Sequence, residues 1–172
     1  VSTNLRLSVN LGARELTHPD VVATVLGAVR GAGIDPSSLC IEVTESTAMA
    51  GRESGFHALR DLSLAGVQIA IDDFGTGYSS LDHLRHMPAD VLKIDRSFVQ
   101  GISPDSSDTA LVAAALALGR ALSMDVVAEG IETEQQATSL RELECPIGQG
   151  FLFARPLPPE ELDGLLEAGL PL

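Results

Sequence analysis

The chain has 172 residues, 45% hydrophobic but only 3% aromatic, which is enough to bury one core and too apolar for a disordered segment. Ala, Leu, Val and Gly dominate, a mix that suits an α/β fold packed by aliphatic side chains. With 24 acids against 11 bases the formal net charge is −13, which excludes non-specific binding to DNA, RNA or anionic membranes and admits a phosphate ligand only where cations neutralise the pocket.

In chain order, Leu5 to Asn10 alternates apolar and polar residues, the period of a strand with two different faces. Pro19 and Asp20 open a helix with Val22, Val25, Leu26 and Val29 on one side and Gly31 just beyond its end. Leu39 to Glu45 is the next strand. Phe56, Leu59 and Leu62 mark a helix that ends near Gly66. A β-branched run from Val67 closes on Asp72 and Asp73. A loop with Gly75 and Gly77 follows, and Ser79 and Ser80 can cap a short helix over Leu81 to Arg85. Val91 to Asp95 is a strand, Asp108 to Leu122 a helix, and Asp125 to Glu129 another strand. Thr133 with Gln136 forms a capping box for the helix after it. Ile147 to Phe153 reads as the last strand, and Pro158, Pro159, Glu160 and Glu161 open a closing helix.

About six strand-helix units without hairpin turns build a parallel sheet, either a doubly wound open sheet or a (β/α) barrel. A potential ligand stands near every strand end: Asn10, Glu42, Asp72 with Asp73, Lys93, Glu129 and Gln149. An open sheet lets only the strands at its switch point reach one ligand, whereas a barrel converges all strand ends on one face. The regular placement favours the barrel, although six units are two short of the eight that close one. Val1 leads almost directly into a strand pattern, so the chain reads as part of something longer. Cys40 and Cys145 lack metal-ligand spacing and read as reduced thiols of a cytoplasmic protein. No apolar run reaches membrane-spanning length, and no signal peptide is visible, so no membrane contact is expected.

The Asp72-Asp73 pair carries the chemistry. Successive strand residues face opposite sides, so both acids can serve one site only where the strand ends and the backbone turns. Paired carboxylates suit hard divalent cations; solvated acids in an Asx turn are the plainer alternative.

The segments Ser8 to Gly12, Ile41 to Ser46, Asp72 to Leu81, Leu92 to Asp95, Ala128 to Thr133 and Gly148 to Pro158 together resemble the EAL domain family. These are phosphodiesterases that hydrolyse the bacterial second messenger cyclic di-GMP. The likeness covers essentially the whole chain in the family's order, and the Asp-Asp-Phe-Gly-Thr-Gly run is its most specific part. It implies a TIM-like (β/α) barrel, here incomplete, in one domain spanning residues 1–172. The Glu-Ala-Leu segment that names the family is missing, so the first two strands, a metal-binding Glu and a following Arg are expected to lie upstream. Gly12 stands where the family usually has Ser.

Carried over by position, the resemblance makes Asn10, Glu42, Asp72 and Asp73 ligands of a two-metal site for Mg²⁺ or Mn²⁺, with Asp72 shared. Lys93 would orient the attacking water and stabilise phosphate charge; a strand-end salt bridge is its structural alternative. Glu129 would act as general base or as a metal-site acid. Glu132 and Gln149 would complete the pocket, and Glu45 would anchor the loop after Asp73 without touching metal. His83 and His86 read as surface residues, as do His18 and His57. The resemblance also implies pairing of two copies through helices beside the Asp-Asp loop, and an upstream sensory or GGDEF-type domain. Two other readings compete. One is a catalytically silent EAL-like module that binds cyclic di-GMP or a protein. The other is a metal barrel that abstracts a proton beside a carboxylate, which would leave the Asp-Asp loop without a purpose.

Overall fold

The computed structural model describes residues 5–50, 52–77, 81–104 and 106–168. Six parallel strands lie in sequence order: β1 (Leu7–Asn10), β2 (Leu39–Thr44), β3 (Gln68–Phe74), β4 (Val91–Ile94), β5 (Asp125–Ala128) and β6 (Ile147–Gly148). Each pairs with the next, so there is no switch point. The sheet curls into part of a barrel with helices outside, as expected of a TIM-like fold that is incomplete.

The helices are α1 (Ala13–Leu16), α2 (Val21–Ala32), α3 (Glu45–Ala50), α4 (Arg52–Leu64), α5 (Leu81–His86), α6 (Arg96–Gln100), α7 (Ser107–Leu122), α8 (Glu134–Glu142) and α9 (Pro159–Ala168). Their starts follow local chemistry. The Ser106 hydroxyl accepts from the Thr109 N–H to cap α7, and Thr133 and Gln136 form the expected capping box on α8. None of the described helices is long and apolar enough to cross a membrane.

Strand alternation divides the side chains between two faces. Ile41, Val43, Ile69, Ile71, Leu92, Ile94, Val126 and Ala128 point outward into the helices and are all buried. On that side Val29, Leu59 and Leu62 pack against β2 and β3, while Val112 and Leu116 belong to the cluster around β4 and β5. Fully burying one such side chain stabilises by about 1.5–3 kcal/mol, so this layer holds the curl. On the concave face Cys40, Ala70 and Val91 form a small buried cluster with Val127 against it. Glu42, Asp72, Lys93 and Glu129 share the parity of that face and stand above this floor.

Three details differ from the sequence reading. Helix α2 runs through Gly31 to Ala32, and Gly33, left-handed at φ 67°, is its cap; the Gly33 N–H donates to the carbonyl of Arg30. Glu45 does not end β2 but begins α3. The last strand keeps only Ile147 and Gly148 rather than running to Phe153, because Gly150 presses onto the backbone of Ile131. A Cβ there would lie 2.1 Å from the Ile131 carbonyl oxygen, so the chain turns at a contact only glycine permits. Ser79 and Ser80, expected as caps of α5, lie outside the described residues.

Among the described residues both sheet edges are open. Every residue of β1 is exposed, including Leu7 at 57% and Val9 at 41%, and Ile147 on β6 is exposed as well. A parallel sheet ordinarily covers both faces of its strands, so the β1 edge is the least finished part of the fold.

Candidate active site

The concave face gathers three acids around one ammonium. The Lys93 Nζ lies 2.7 Å from Glu42 Oε2, 3.1 Å from Asp72 Oδ1 and 2.8 Å from Glu129 Oε1. The acids come from β2, β3 and the residue after β5, with Lys93 on β4 between them. Lys93 and Glu42 are buried, and Asp72 and Glu129 are half-buried.

Asp73 joins them because the backbone breaks its alternation. Pairing of β3 with β4 shifts register between Ile71 and Phe74, and Asp73 sits at φ 54° in the left-handed region. Asp and Asn tolerate that region better than other non-glycine residues. The Asp73 N–H donates to Asp72 Oδ1 at 3.0 Å, closing the turn locally. Carboxylate oxygens of Asp72, Asp73 and Glu129 then lie within 4.8 Å of one another. Among the described residues this is the only cluster of His, Cys or acids able to share a metal ion. An all-oxygen set of this size fits hard divalent cations such as Mg²⁺, Mn²⁺ or Ca²⁺.

The charges respond to this crowding. Burial alone would lower the Lys93 pKa, but the hydrogen bonds to Glu129 and Glu42 outweigh it, aided by the charges of Glu129 and Asp72, and leave it raised. Glu129 is raised by burial, against the opposing effect of Lys93, with Asp72 and Glu42 adding to the rise. Asp73 is raised by burial and then by its neighbours Asp72 and Asp95. Such a cluster holds excess negative charge that a cation would neutralise.

A family model described as the EAL domain matches residues 2–156. The chain belongs to the EAL domain family. It is 49% identical over 156 residues to the bifunctional diguanylate cyclase/cyclic di-GMP phosphodiesterase MucR of Pseudomonas aeruginosa, across 91% of this chain and 23% of MucR. The solved PaMucR phosphodiesterase in complex with c-di-GMP superposes with a TM-score of 0.87 at 48% identity, over 91% of this chain and 70% of that one. The EAL domain of Mycobacterium smegmatis DcpA gives 0.90 at 40% identity, over 97% and 75%. Klebsiella pneumoniae BlrP1, solved with manganese and cyclic di-GMP, gives 0.79 at 35% identity, over 88% and 39%. This chain thus spans less than a quarter of MucR's length.

Within the EAL domain, the remaining expected residues differ in burial and in what holds them. Glu45 is 5% exposed at the start of α3, and its Oε1 would be 2.7 Å from a Cβ on Gly77. A side chain at position 77 would push the Glu45 carboxylate or the loop after Asp73 aside. Glu45 Oε2 has no hydrogen-bond partner among the described residues. Gln149 is held beside Glu129 through the backbone: the Gln149 N–H donates to the Ala128 carbonyl, and its own carbonyl accepts from Ile131, whereas the Glu132 N–H donates to Gln136 Oε1. Both side chains are exposed, and neither joins the carboxylate cluster. Asn10 lies beside Glu42 in register, exposed at the open edge.

His86 is surface-exposed and near Asp82, away from the acids, as expected of a solvated helix face. The sequence reading gave no part to Asp95 or Arg96, yet both act on Asp73 through charge. Asp95 accepts from the Ser97 N–H to cap α6, which commits it to the backbone. Its position directly after the Lys93 strand was the available signal.

Proposed function

We propose that this chain carries most of the site of a metal-dependent phosphodiesterase that hydrolyses cyclic di-GMP to linear pGpG. The observation that supports it best is the meeting of Asp72, Asp73 and Glu129 within 4.8 Å, beside Lys93, on the concave strand ends of an EAL domain. Glu42, Asp72, Asp73 and Asn10 would hold two cations, Mg²⁺ or Mn²⁺, with Asp72 serving both. Bound there, the cations would neutralise the phosphodiester and lower the pKa of water toward ~7. Lys93 would orient that water and stabilise phosphate charge; Glu129 would take its proton or serve the metals. Glu132 and Gln149 would line the rim where the dinucleotide lies. Glu45 would fix Asp73 by holding its loop, a supporting role of the kind whose loss typically lowers activity about 10–100-fold.

A complete domain requires more than these residues. The open β1 edge beside Asn10 supports an upstream pair of strands that closes the barrel and supplies a further metal-binding Glu. Relatives as long as MucR support an upstream sensory or GGDEF-type domain; a cytoplasmic setting and pairing of two copies would go with that reading. The exposed edge also favours a second reading for the chain by itself, a silent module that binds cyclic di-GMP without cleaving it.

Incubating the 172-residue chain with cyclic di-GMP and Mg²⁺, alone and joined to its natural upstream strands, separates these readings. Little or no pGpG from the chain alone and clear turnover from the longer form are expected. Robust turnover by the chain alone would show that Asn10, Glu42, Asp72 and Asp73 suffice. No turnover by the longer form with binding retained would establish the silent module.

A further inference from the structure

Lys93 is the single lysine of the chain, the other ten basic residues counted among its 11 being arginines. An ammonium has three N–H donors, and here it lies within ion-pair distance of three carboxylates from three different strand ends, at 2.7, 2.8 and 3.1 Å, with a hydrogen bond donated to Glu42. The oxygens engaged are Glu42 Oε2, Asp72 Oδ1 and Glu129 Oε1. Asp72 and Glu129 are also two of the three acids placed to share a metal ion. One oxygen set is thus claimed by two kinds of cation, one of them tethered.

Two positive charges at that spacing repel. The repulsion falls off with distance and with solvent screening, and a divalent ion doubles the charge on one side. A divalent cation bonding Asp72 and Glu129 must therefore sit against the ammonium or displace it from at least one acid.

Resting on the metal-dependent reading above, we propose that Lys93 is an internal competitor for the divalent cation: it shares the carboxylates with the ion and releases Asp72 or Glu129 when the ion binds. Without a metal the lysine draws the ends of β2, β3 and β5 together, and on binding the ion takes over the acid that the lysine releases. It also weakens metal affinity, so that the ion binds reversibly. Lys93 is then a positioning residue for the metal site in addition to any contact with phosphate.

Because there is one lysine, [ζ-¹⁵N]lysine labelling gives one side-chain ammonium signal. The chain is titrated with Ca²⁺ while calorimetry follows binding on the same sample. The expected result is a saturable shift of the Lys93 signal, or its loss through faster proton exchange, with the midpoint that calorimetry gives. Lys93→Met should bind Ca²⁺ about tenfold more tightly, whereas Lys93→Arg, which keeps the charge, should stay within about threefold of the parent. Ca²⁺ binding that leaves the Lys93 signal unmoved overturns the competition and leaves the metal site standing. Equal or weaker binding by a folded Lys93→Met does the same. Should that variant fail to fold, the ¹⁵N titration decides alone. Calorimetry that detects no binding of Ca²⁺, Mg²⁺ or Mn²⁺, either by the chain or by the form joined to its natural upstream strands, removes the metal reading and this one with it.

Discussion

Replacing Asp73 with asparagine removes one charge from the crowded acids while keeping the size and backbone preference of the residue. Asp73 stands at φ 54°, where asparagine is as well tolerated as aspartate. The Asp73 carboxyl is held above the ordinary aspartate value of 3.8 by burial and by Asp72 and Asp95, so its charged form is disfavoured in the fold. A group whose pKa is raised on folding contributes stability below its unfolded pKa and loses it as pH rises through the folded value. At neutral pH Asp73→Asn should therefore melt at or above the parent, and the gain should vanish below pH 3.8. Asp73→Ala is the backbone control. Both variants are neutral, but alanine in the left-handed region costs about 1–2 kcal/mol more. For a chain of this size each kcal/mol is about 2–4 °C, so Asp73→Ala should melt about 2–8 °C below Asp73→Asn. Thermal melting by circular dichroism across pH reads these differences. In a longer protein with the upstream strands, losing one ligand to the second cation should lower cyclic di-GMP turnover by about 100-fold or more, since metal stabilisation of the transition state is worth several kcal/mol. Near-normal turnover of Asp73→Asn in Mg²⁺ would refute the two-metal assignment. A melting point for Asp73→Asn well below the parent at pH 7 would refute the crowding argument.

The same longer protein tests the surroundings of the site. Glu45→Ala should lower metal affinity or turnover about 10–100-fold without removing a ligand; a Mg²⁺ titration that matches the parent would make Glu45 a plain buried acid. Gly77→Ala should produce a loss of the same kind, because its new Cβ would meet Glu45 Oε1 at 2.7 Å and push the loop away; an unchanged rate would show that the loop gives freely. Ca²⁺ should support cyclic di-GMP binding but not turnover, since it takes more ligands at longer distances than Mg²⁺ and polarises water less; equal rates in both ions would assign water activation to Glu129 alone. Metal binding should weaken on acidification above the ordinary glutamate value of 4.5, because Glu129 is raised by burial; a midpoint at or below 4.5 in calorimetry would contradict this.

The sequence by itself determined the succession of strand-helix units, the parallel connections and the strand-end address of each polar residue, while the spatial strand order came from the structure. The apolar runs Leu39–Thr44 and Gln68–Phe74 mark strands buried along most of their length, and a parallel sheet leaves few other ways to bury them. It also placed the capping box of α8, because that signal is local: Thr133 and Gln136 are three residues apart and satisfy each other's backbone. Gly31 misled because a glycine fits inside a helix at modest cost, and only the left-handed φ of Gly33 distinguishes a cap. The end of β6 was hidden for a different reason. The Gly150 contact with Ile131 joins residues 19 apart in sequence through shape alone, which no local pattern records. Tertiary structure also decided the charge balance of the site. Lys93 and Glu42 are 51 residues apart, yet they share a 2.7 Å ion pair, because curling the sheet brings the ends of β2 and β4 onto one concave face. Whether a strand-end lysine meets water, one acid or three depends on that curvature, and curvature comes from packing the outer helices, not from any single strand.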